Sequence, residues 1–238
     1  MINLYITSSN KGEGKTFLSA GIAATMQSLG YSTSVYKPIQ MSGIDINGFM
    51  QSPDMTLIKS IDPYINTSFS YLFKSDLEPL VSSELENNPI STELIHADFI
   101  KISRNSDCTI VDSEGGLMSP LGVNIQNYDL IKKMQIPILI VTSPSKNSIN
   151  DTLSAIFIAQ EKGLNVRGVV INNIKEDCSK TLLTSISRVI EEYSNVSILG
   201  LLPHLGEKFI PEDLITNVLN GIDIESVFGV KIEKLEFC

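Results

Sequence analysis

The chain has 238 residues, of which 42% are hydrophobic and 19% charged, a balance typical of a globular protein that buries a full core. Its formal net charge of −9 argues against a nucleic-acid partner and against binding to an anionic membrane surface. No apolar run approaches the roughly 18 residues that a membrane span needs. The length fits one large α/β domain over residues 1–238.

The cysteines and histidines indicate a cytoplasmic protein without a histidine metal site. Cys108, Cys178 and Cys238 are scattered and odd in number, which favours reduced thiols in the cytosol over a disulfide framework or a metal site. His96 and His204 lie far apart in the chain. We also expect no export signal, because the N-terminus runs directly into the first predicted strand.

The first thirty residues predict a strand, a polar loop and a helix. The apolar run Ile2–Ile6 is short enough for a buried strand, and a polar loop over Thr7–Gly14 follows it. The helix opens at Lys15, and Gly30 is its stop signal. Its apolar positions, at near-helical spacing, are Leu18, Ile22, Met26 and Leu29.

The sequence Gly14-Lys15-Thr16 at the start of this helix indicates a phosphate-binding loop. Backbone N–H groups at a helix start point towards an anion, and the helix dipole favours negative charge there. Lys15 would then reach the β- and γ-phosphates of a nucleotide, and the Thr16 hydroxyl would coordinate Mg²⁺. The strict motif requires glycine where this chain has Ser9, and a second glycine stands at Gly12 instead. The competing interpretation is a glycine-rich turn that binds nothing.

Residues Ser32–Tyr36 predict a second strand, which we expect Pro38 to end. Lys37 would then lie at the carboxyl edge where open α/β sheets bind ligands, although a solvated surface lysine is the alternative. Asp54 follows Pro53 at the start of an amphipathic segment. It is either an acid favoured by a helix N-terminus, the safer interpretation from the residues alone, or a carboxylate for Mg²⁺.

The next predicted elements are a short apolar piece at Ser70–Phe73, a polar helix after Leu77–Leu80 and a helix over Ser91–Arg104. The expected inner face of the last helix comprises Leu94, Ile95, Phe99 and Ile102.

A third strand, Cys108–Val111, runs into a segment that carries acids and glycines, residues 112–116. A carboxylate at the end of an apolar strand suits Mg²⁺, directly or through water, and glycines let the backbone approach phosphates. Asp112 and Glu114 compete for the metal, and their spacing does not choose between them. The alternative is an ordinary strand-end turn.

The rest of the chain alternates predicted strands and helices. The strands are Ile136–Thr142, Gly168–Asn172 and Ile198–Leu202, and the helices are one containing Leu153, Ile156 and Ile158, one over Leu182–Tyr193 and one over Glu212–Leu219. A continuous apolar run such as residues 136–142 is typical of a parallel strand buried on both faces. The alternation predicts a single α/β domain, with a mostly parallel sheet covered by helices on both faces.

Taken together, these motifs resemble the dethiobiotin synthetase family, the ATP-dependent cyclo-ligases of biotin synthesis. That family belongs to the deviant P-loop NTPase group that also contains cell-division and partition ATPases. The resemblance extends to about Leu205 and depends on the order and spacing of several segments: Glu13–Thr16, Tyr36–Gln40, Ser42-Gly43, Ser52–Asp54, Val111–Leu121, Ile149-Asn150, Gly168–Asn172 and Gly200–Leu205. Tyr36-Lys37-Pro38 is the most specific part, because the general fold does not require a lysine there.

The resemblance implies a reaction. ATP and Mg²⁺ would drive carboxylation of 7,8-diaminononanoate by CO₂ or bicarbonate and its ring closure to dethiobiotin. One amine would form a carbamate, ATP would phosphorylate it, and the second amine would close the ring with loss of phosphate. Catalysis would consist of positioning and charge neutralisation by Lys15, Lys37 and Mg²⁺. The implied assembly is a homodimer with the active site at its interface.

The resemblance also implies the roles of individual residues. The implied metal ligands are Thr16, Asp54 and Asp112. The implied ATP-binding positions are Gly12, Glu13, Gly14, Lys15, Thr16, Phe17, Asp54, Asp112, Gly115, Asn172, Asn173, Pro203, His204 and Leu205. The implied substrate-binding positions are Lys37, Ser42, Asn147, Ser148 and Asn150, and the last three belong to a helix start that would bind the substrate carboxylate across the dimer.

The chain departs from the family pattern mainly on the substrate side. Asp112 stands where the family has glutamate, Asn147 replaces a glycine, and Met41 interrupts the pattern after Lys37. The segment Glu78-Pro79-Leu80 keeps only the proline. A diverged relative that acts on another amine or carboxylate is therefore one alternative function.

A partition- or division-type ATPase switch is the other alternative. Its loop usually carries a lysine at the position of Asn10, whereas here the lysine is Lys11, one place away. The acidic composition also offers no basic surface for DNA or membrane, which disfavours this class.

Overall fold

The computed structural model of the protein describes residues 1–206 and 208–232. Strands and helices alternate along most of this length. In chain order the elements are β1 (Ile2–Ser8), α1 (Lys15–Ser28), β2 (Thr33–Gln40), β3 (Ile44–Ile46), β4 (Phe49–Gln51), α2 (Pro53–Ile61), β5 (Asn66–Leu72), α3 (Pro79–Leu85), α4 (Thr92–Ser103), β6 (Cys108–Asp112), β7 (Pro120–Gly122), β8 (Ile125–Gln126), α5 (Asn127–Met134), β9 (Ile138–Thr142), α6 (Ser148–Glu161), β10 (Val166–Ile174), α7 (Lys180–Ser194), β11 (Ile198–Pro203), α8 (Pro211–Gly221) and α9 (Ile224–Phe228).

The main sheet has seven strands within the described residues, in the order β11-β10-β9-β1-β6-β2-β5. Every pairing in it is parallel. β1 lies at the centre, so the loop that follows it opens at the carboxyl edge of the sheet, where such folds bind ligands. The predicted α/β class with a parallel sheet is confirmed.

Helices cover both faces of the sheet over two separate cores. Leu4 and Ile6 of β1 pack into one core with α1, α2, α8 and α9. Tyr5, between them, packs into the other core with α4, α5, α6 and α7. Successive side chains of a strand point to opposite faces, so an unbroken apolar strand supplies both cores.

β2 runs through Pro38 to Gln40, so the prediction that Pro38 ends the strand is wrong. β2 pairs with β6 only as far as Tyr36 and continues beside β5 alone. A proline is tolerated in a strand where one side has no partner, because its missing N–H then breaks no ladder bond. Lys37 therefore lies inside a buried strand rather than at its end.

Two further features differ from the sequence prediction. The segment after β2, for which the sequence predicts no strand, contains the β3–β4 hairpin, whose two-residue turn has Asn47 at φ 56° and Gly48 at φ 84°. An Asn-Gly pair is the usual sequence signal for such a turn. In α4, Leu94 is 46% exposed and does not belong to the inner face, because it lies one residue, about 100° of helix rotation, before the buried Ile95.

No helix among the described residues is long and apolar enough to cross a membrane. Cys108 is buried and Cys178 half-buried, and both carry free thiols in the described part of the chain. Cys238, the third cysteine predicted to be reduced, lies outside the described residues.

Candidate active site

The loop between β1 and α1 has the backbone geometry of an anion site. Gly12 and Gly14 adopt φ values of 85° and 80°, a left-handed region that glycine enters without strain. No described side chain caps α1, so the N–H groups of its first turn can bind an anion. Lys15 Nζ donates a hydrogen bond to Ser8 Oγ at 2.9 Å. Burial lowers the pKa of Lys15, and the repulsion from Lys37 adds to this effect.

Thr16, Asp54 and Asp112 converge beside this loop. The Thr16 hydroxyl lies 2.8 Å from Asp112 Oδ2 and 3.3 Å from Asp54 Oδ2. Asp112 is fully buried at the end of β6, and its other oxygen accepts a hydrogen bond of 3.3 Å from Ser19 on α1. Three different elements thus bring two carboxylates and one hydroxyl to the same point.

Lys37 extends from β2 into this group of carboxylates. Its Nζ lies 2.6 Å from Asp54 Oδ2, 3.1 Å from Asp112 Oδ2 and 3.4 Å from Glu114 Oε2. Burial alone would lower the pKa of Lys37, but the carboxylates, Asp112 foremost, raise it above its ordinary value. The side chain therefore remains a buried ammonium that neutralises nearby negative charge.

The oxygen ligands fit Mg²⁺. Among the described residues, no group of three or more His, Cys, Asp or Glu side chains forms a metal cage. Mg²⁺ usually takes only one or two carboxylates and completes its shell with water and nucleotide phosphates. Thr16, Asp54 and Asp112 match that requirement, whereas Glu114 lies 3.4 Å from the Lys37 ammonium and makes no hydrogen bond to Thr16 in the described part of the chain.

Two adjoining cavities meet at the loop. The first, of about 400 Å³, contains the phosphate loop, Lys37, Ser42, Asp54 and Glu114 in its lining. The second, of about 210 Å³, is lined by Gly14, Phe17, Asn172, Asn173, Pro203, His204, Leu205 and Gly206. Phe17 borders both cavities, and its ring makes an edge-to-face contact with Phe209 at 4.9 Å between centroids. The predicted ATP-binding residues that line these two cavities therefore form one continuous surface.

Some predicted residues lie off this surface. Glu13 is buried, and burial raises the pKa of its carboxyl group while Ser143 opposes that shift. The Glu13 backbone carbonyl accepts a hydrogen bond of 3.0 Å from Asn172 Nδ2. Gly115 borders a neighbouring hollow of about 220 Å³ that also contacts Glu114.

Asn147, Ser148 and Asn150 stand at the start of α6 and border neither cavity within the described residues. Ser148 is buried, and its hydroxyl donates to the Ser145 carbonyl. Their predicted role at a subunit interface stays a prediction.

Sequence reasoning missed Ser8, Ser19 and Gln40. The Ser8 hydroxyl accepts a hydrogen bond from Lys15, and the Ser19 hydroxyl donates one to Asp112. Gln40 Oε1 accepts a hydrogen bond of 2.6 Å from Ser52, the residue before α2. Ser8 and Gln40 are polar residues at the carboxyl ends of buried strands, which is the signal that could have identified them.

The sequence is similar to known proteins along nearly its whole length. A sequence profile described as an AAA domain matches residues 3–208. The ATP-dependent dethiobiotin synthetase BioD of Bacillus velezensis is 31% identical over 236 residues, which are 97% of this chain and 98% of the relative. The chain belongs to the dethiobiotin synthetase family. The dethiobiotin synthetase of Methanococcus vannielii is 28% identical over 202 residues, 83% of this chain and 92% of the relative.

Solved structures share the fold of this dethiobiotin synthetase family member. The MinC:MinD cell division protein complex of Aquifex aeolicus gives a TM-score of 0.58 at 18% identity, covering 100% of this chain and 99% of that one. The ParA family ATPase of Chlorobium tepidum gives 0.56 at 16% identity, covering 97% and 93%. Such identities show the fold alone. Membership of the dethiobiotin synthetase family makes the chain an enzyme of the ligase class.

Proposed function

We propose that the protein is an ATP- and Mg²⁺-dependent dethiobiotin synthase that carboxylates 7,8-diaminononanoate and closes its ureido ring. The observation that carries this proposal is Lys37, a buried ammonium beside the phosphate loop at a position that phosphate binding alone does not require. Together with the dethiobiotin synthetase relatives, it supports phosphoryl transfer to an anionic acceptor in the first cavity.

ATP binds across both cavities in this proposal. The base occupies the smaller cavity beside Phe17 and Asn172, and the phosphates lie on the N–H groups at the start of α1. Thr16, Asp54 and Asp112 would hold Mg²⁺, which supplies positive charge to the phosphates when it is bound. Lys15, already directed along the loop by Ser8, neutralises the β- and γ-phosphates.

The diamine occupies the larger cavity near Lys37 and Ser42. One amine adds to CO₂ and loses a proton to give a carbamate, whose oxygen attacks the γ-phosphorus as the bond to ADP breaks. The second amine attacks the carbamoyl carbon, phosphate leaves, and the amine loses its proton as the ring closes. Lys37 neutralises the charge on the carbamate and the transferred phosphoryl group, so no protein nucleophile takes part.

The substrate carboxylate binds at Asn147, Ser148 and Asn150 of a second subunit in this proposal, since these residues line neither cavity of their own chain within the described residues. The proposed assembly is therefore a homodimer. We propose a cytoplasmic location on the separate ground that the three scattered cysteines favour reduced thiols.

A coupled ADP-release assay tests the function. ADP formation should require 7,8-diaminononanoate, bicarbonate and Mg²⁺ together, and the product should have the mass of dethiobiotin. Release of ADP at the same rate without the diamine would contradict the proposal and favour an ATPase switch.

Replacing Lys37 by Ala should remove turnover while ADP still binds, because Lys37 acts on the transferred group rather than on the base. Loss of turnover by at least about 100-fold is expected when a charge-stabilising group of this kind is removed. A Lys37→Ala enzyme with normal turnover would exclude its catalytic role.

A further inference from the structure

The Lys37 ammonium uses the same two oxygen atoms that a divalent cation in this site would use. Asp54 Oδ2 and Asp112 Oδ2 lie 2.6 and 3.1 Å from Lys37 Nζ. The same two oxygens lie within 3.3 Å of the Thr16 hydroxyl. Since Mg²⁺ holds its ligands at about 2.0–2.1 Å, a cation on this oxygen pair and the ammonium exclude each other from that position.

Lys37 has few alternative positions once that oxygen pair is taken. Its backbone is fixed in β2, where it pairs with Phe69 of β5, and its side chain is only 3% exposed. Lys15 lines the same cavity, so repulsion between like charges disfavours movement of the Lys37 ammonium towards it. Among the described residues, the remaining carboxylate within ion-pair distance is Glu114, whose Oε2 lies 3.4 Å from Nζ. Glu114 borders the same cavity and remains 21% exposed, so its side chain has room to follow the ammonium.

We propose that Glu114 is a positioning residue, which holds the Lys37 ammonium in the cavity when a divalent cation takes the oxygens of Asp54 and Asp112. A buried ammonium without a carboxylate partner is strongly unfavourable, so the cation can displace Lys37 only if another partner is available. Glu114 thereby keeps Lys37 beside the transferred group instead of letting it compete with the metal. This inference rests on the nucleotide and Mg²⁺ part of the proposed function, and not on the diamine.

Calorimetric titration of ADP, with and without Mg²⁺, tests the exchange without any turnover. Glu114→Gln should leave the affinity for ADP alone unchanged but reduce the gain in affinity that Mg²⁺ confers by about tenfold, since the displaced ammonium loses a charged partner. Lys37→Met should increase that gain, because it removes the competing cation. If Lys37→Met leaves the Mg²⁺ effect unchanged or reduces it, the exchange does not occur.

The double variant separates positioning from direct metal ligation. In the Lys37→Met background, Glu114→Gln should no longer change the Mg²⁺ effect, because there is no ammonium left to hold. If Glu114 were itself a metal ligand, the loss would persist in that background and the proposal would be wrong. Lys37→Gln serves as a second background if thermal unfolding shows that Lys37→Met does not fold.

Glu78→Gln is the matched control. Glu78 borders the hollow that adjoins Glu114, but it forms no ion pair with Lys37 within the described residues. The Glu78→Gln substitution removes one negative charge near the site, as Glu114→Gln does. It should change the gain in ADP affinity that Mg²⁺ confers by less than about twofold. If Glu78→Gln and Glu114→Gln lower the Mg²⁺-dependent gain in ADP affinity equally, the loss comes from the removal of a nearby negative charge and not from the contact with Lys37. That result would overturn the proposal. Because no diamine is added, these outcomes stand whether or not the ligase reaction is observed.

Discussion

Gly12 and Gly14 have similar positive φ angles in the phosphate loop but very different surroundings. A Cβ at Gly14 would lie 2.4 Å from Asn172 Nδ2, whereas a Cβ at Gly12 would meet nothing within 4 Å. The Asn172 amide donates to the carbonyls of Glu13 and Gly14 and so connects the loop to β10. Comparing alanine substitutions at the two glycines therefore separates the effect of backbone strain from the effect of crowding by Asn172.

Both alanine substitutions should cost about 1–2 kcal/mol in the free energy of unfolding, because each forces a non-glycine residue into the left-handed region. Gly14→Ala should weaken ADP binding by more than about tenfold, and by more than Gly12→Ala does, since it also displaces the Asn172 amide that shapes the loop. Denaturant unfolding and calorimetry measure the two quantities. Equal ADP affinities for the two variants would show that the Asn172 contact does not shape the nucleotide site.

Individual site residues also show which parts of the site can be predicted from the sequence and which cannot. The Gly-Lys-Thr motif predicts a site at Lys15 and Thr16 from neighbouring residues alone, because the motif is local in sequence. The competition between Asp112 and Glu114 depended on where each side chain lies after the strand ends. Three-dimensional contacts place Asp112 against Thr16 and Ser19, whereas Glu114 contacts Lys37 and not Thr16 within the described residues, which spacing does not encode.

At the scale of elements, periodic segments were predicted well and short or edge segments were not. α1 and β9 carry strong apolar patterns that local rules identify. β5 is an edge strand with a mixed pattern, and only its last residues were recognised. The course of β2 through Pro38 depends on the end of the neighbouring β6, a tertiary fact that no local rule contains.

Helix α2 gives a prediction at this scale, because its first turn connects helix stability to the site. The Ser52 hydroxyl accepts a hydrogen bond of 3.1 Å from the Met55 N–H and donates one to Gln40, while Asp54 lies in the same turn. Ser179 caps α7 with the same 3.1 Å geometry, to the N–H of Leu182, at an exposed position.

Ser52→Ala and Ser179→Ala should each lower the free energy of unfolding by about 1 kcal/mol through loss of the helix cap. Only Ser52→Ala should also reduce the effect of Mg²⁺ on ADP binding, because the turn that holds Asp54 loses its fixed connection to β2. Urea unfolding and the calorimetric titration distinguish the two. A normal Mg²⁺ effect in Ser52→Ala would mean that Asp54 is positioned without the cap.

For the whole molecule, composition and alternation were sufficient to predict an α/β protein with a parallel sheet. The order of the strands was not predicted, because pairing depends on contacts between distant segments such as β1 with β6 and β9. The molecule carries a net charge of −9, yet Lys15 and Lys37 both lie in the largest part of the site. These two ammonium groups supply positive charge at this edge of an acidic protein, beside the carboxylates of Asp54 and Glu114.

The pH dependence of global stability should reveal the buried carboxyl group of Glu13. Its side chain is 7% exposed, and Oε2 has no hydrogen-bond partner among the described residues. Burial raises the pKa of Glu13 above its ordinary value of 4.5, although Ser143 and Lys15 oppose the shift and Asp151 adds to it.

The folded state therefore keeps this proton to a higher pH than the unfolded state, and stability falls as the pH rises from 4.5 through the folded pKa. Glu13→Gln removes the titrating group and therefore this fall in stability with rising pH. Its melting temperature should match the parent near about pH 4 and exceed it near about pH 8, as measured by thermal unfolding in buffers without phosphate.

Glu93→Gln is a control of opposite sign. Lys133 lowers the pKa of Glu93 to about 2, so this carboxylate stabilises the fold above 4.5 and loses that effect as the pH falls towards 2. Because the pair is exposed, Glu93→Gln should be slightly less stable than the parent near neutral pH, with the difference disappearing in acid. A Glu13→Gln curve that runs parallel to the parent at every pH would show that Glu13 ionises in the folded protein as freely as in the unfolded chain.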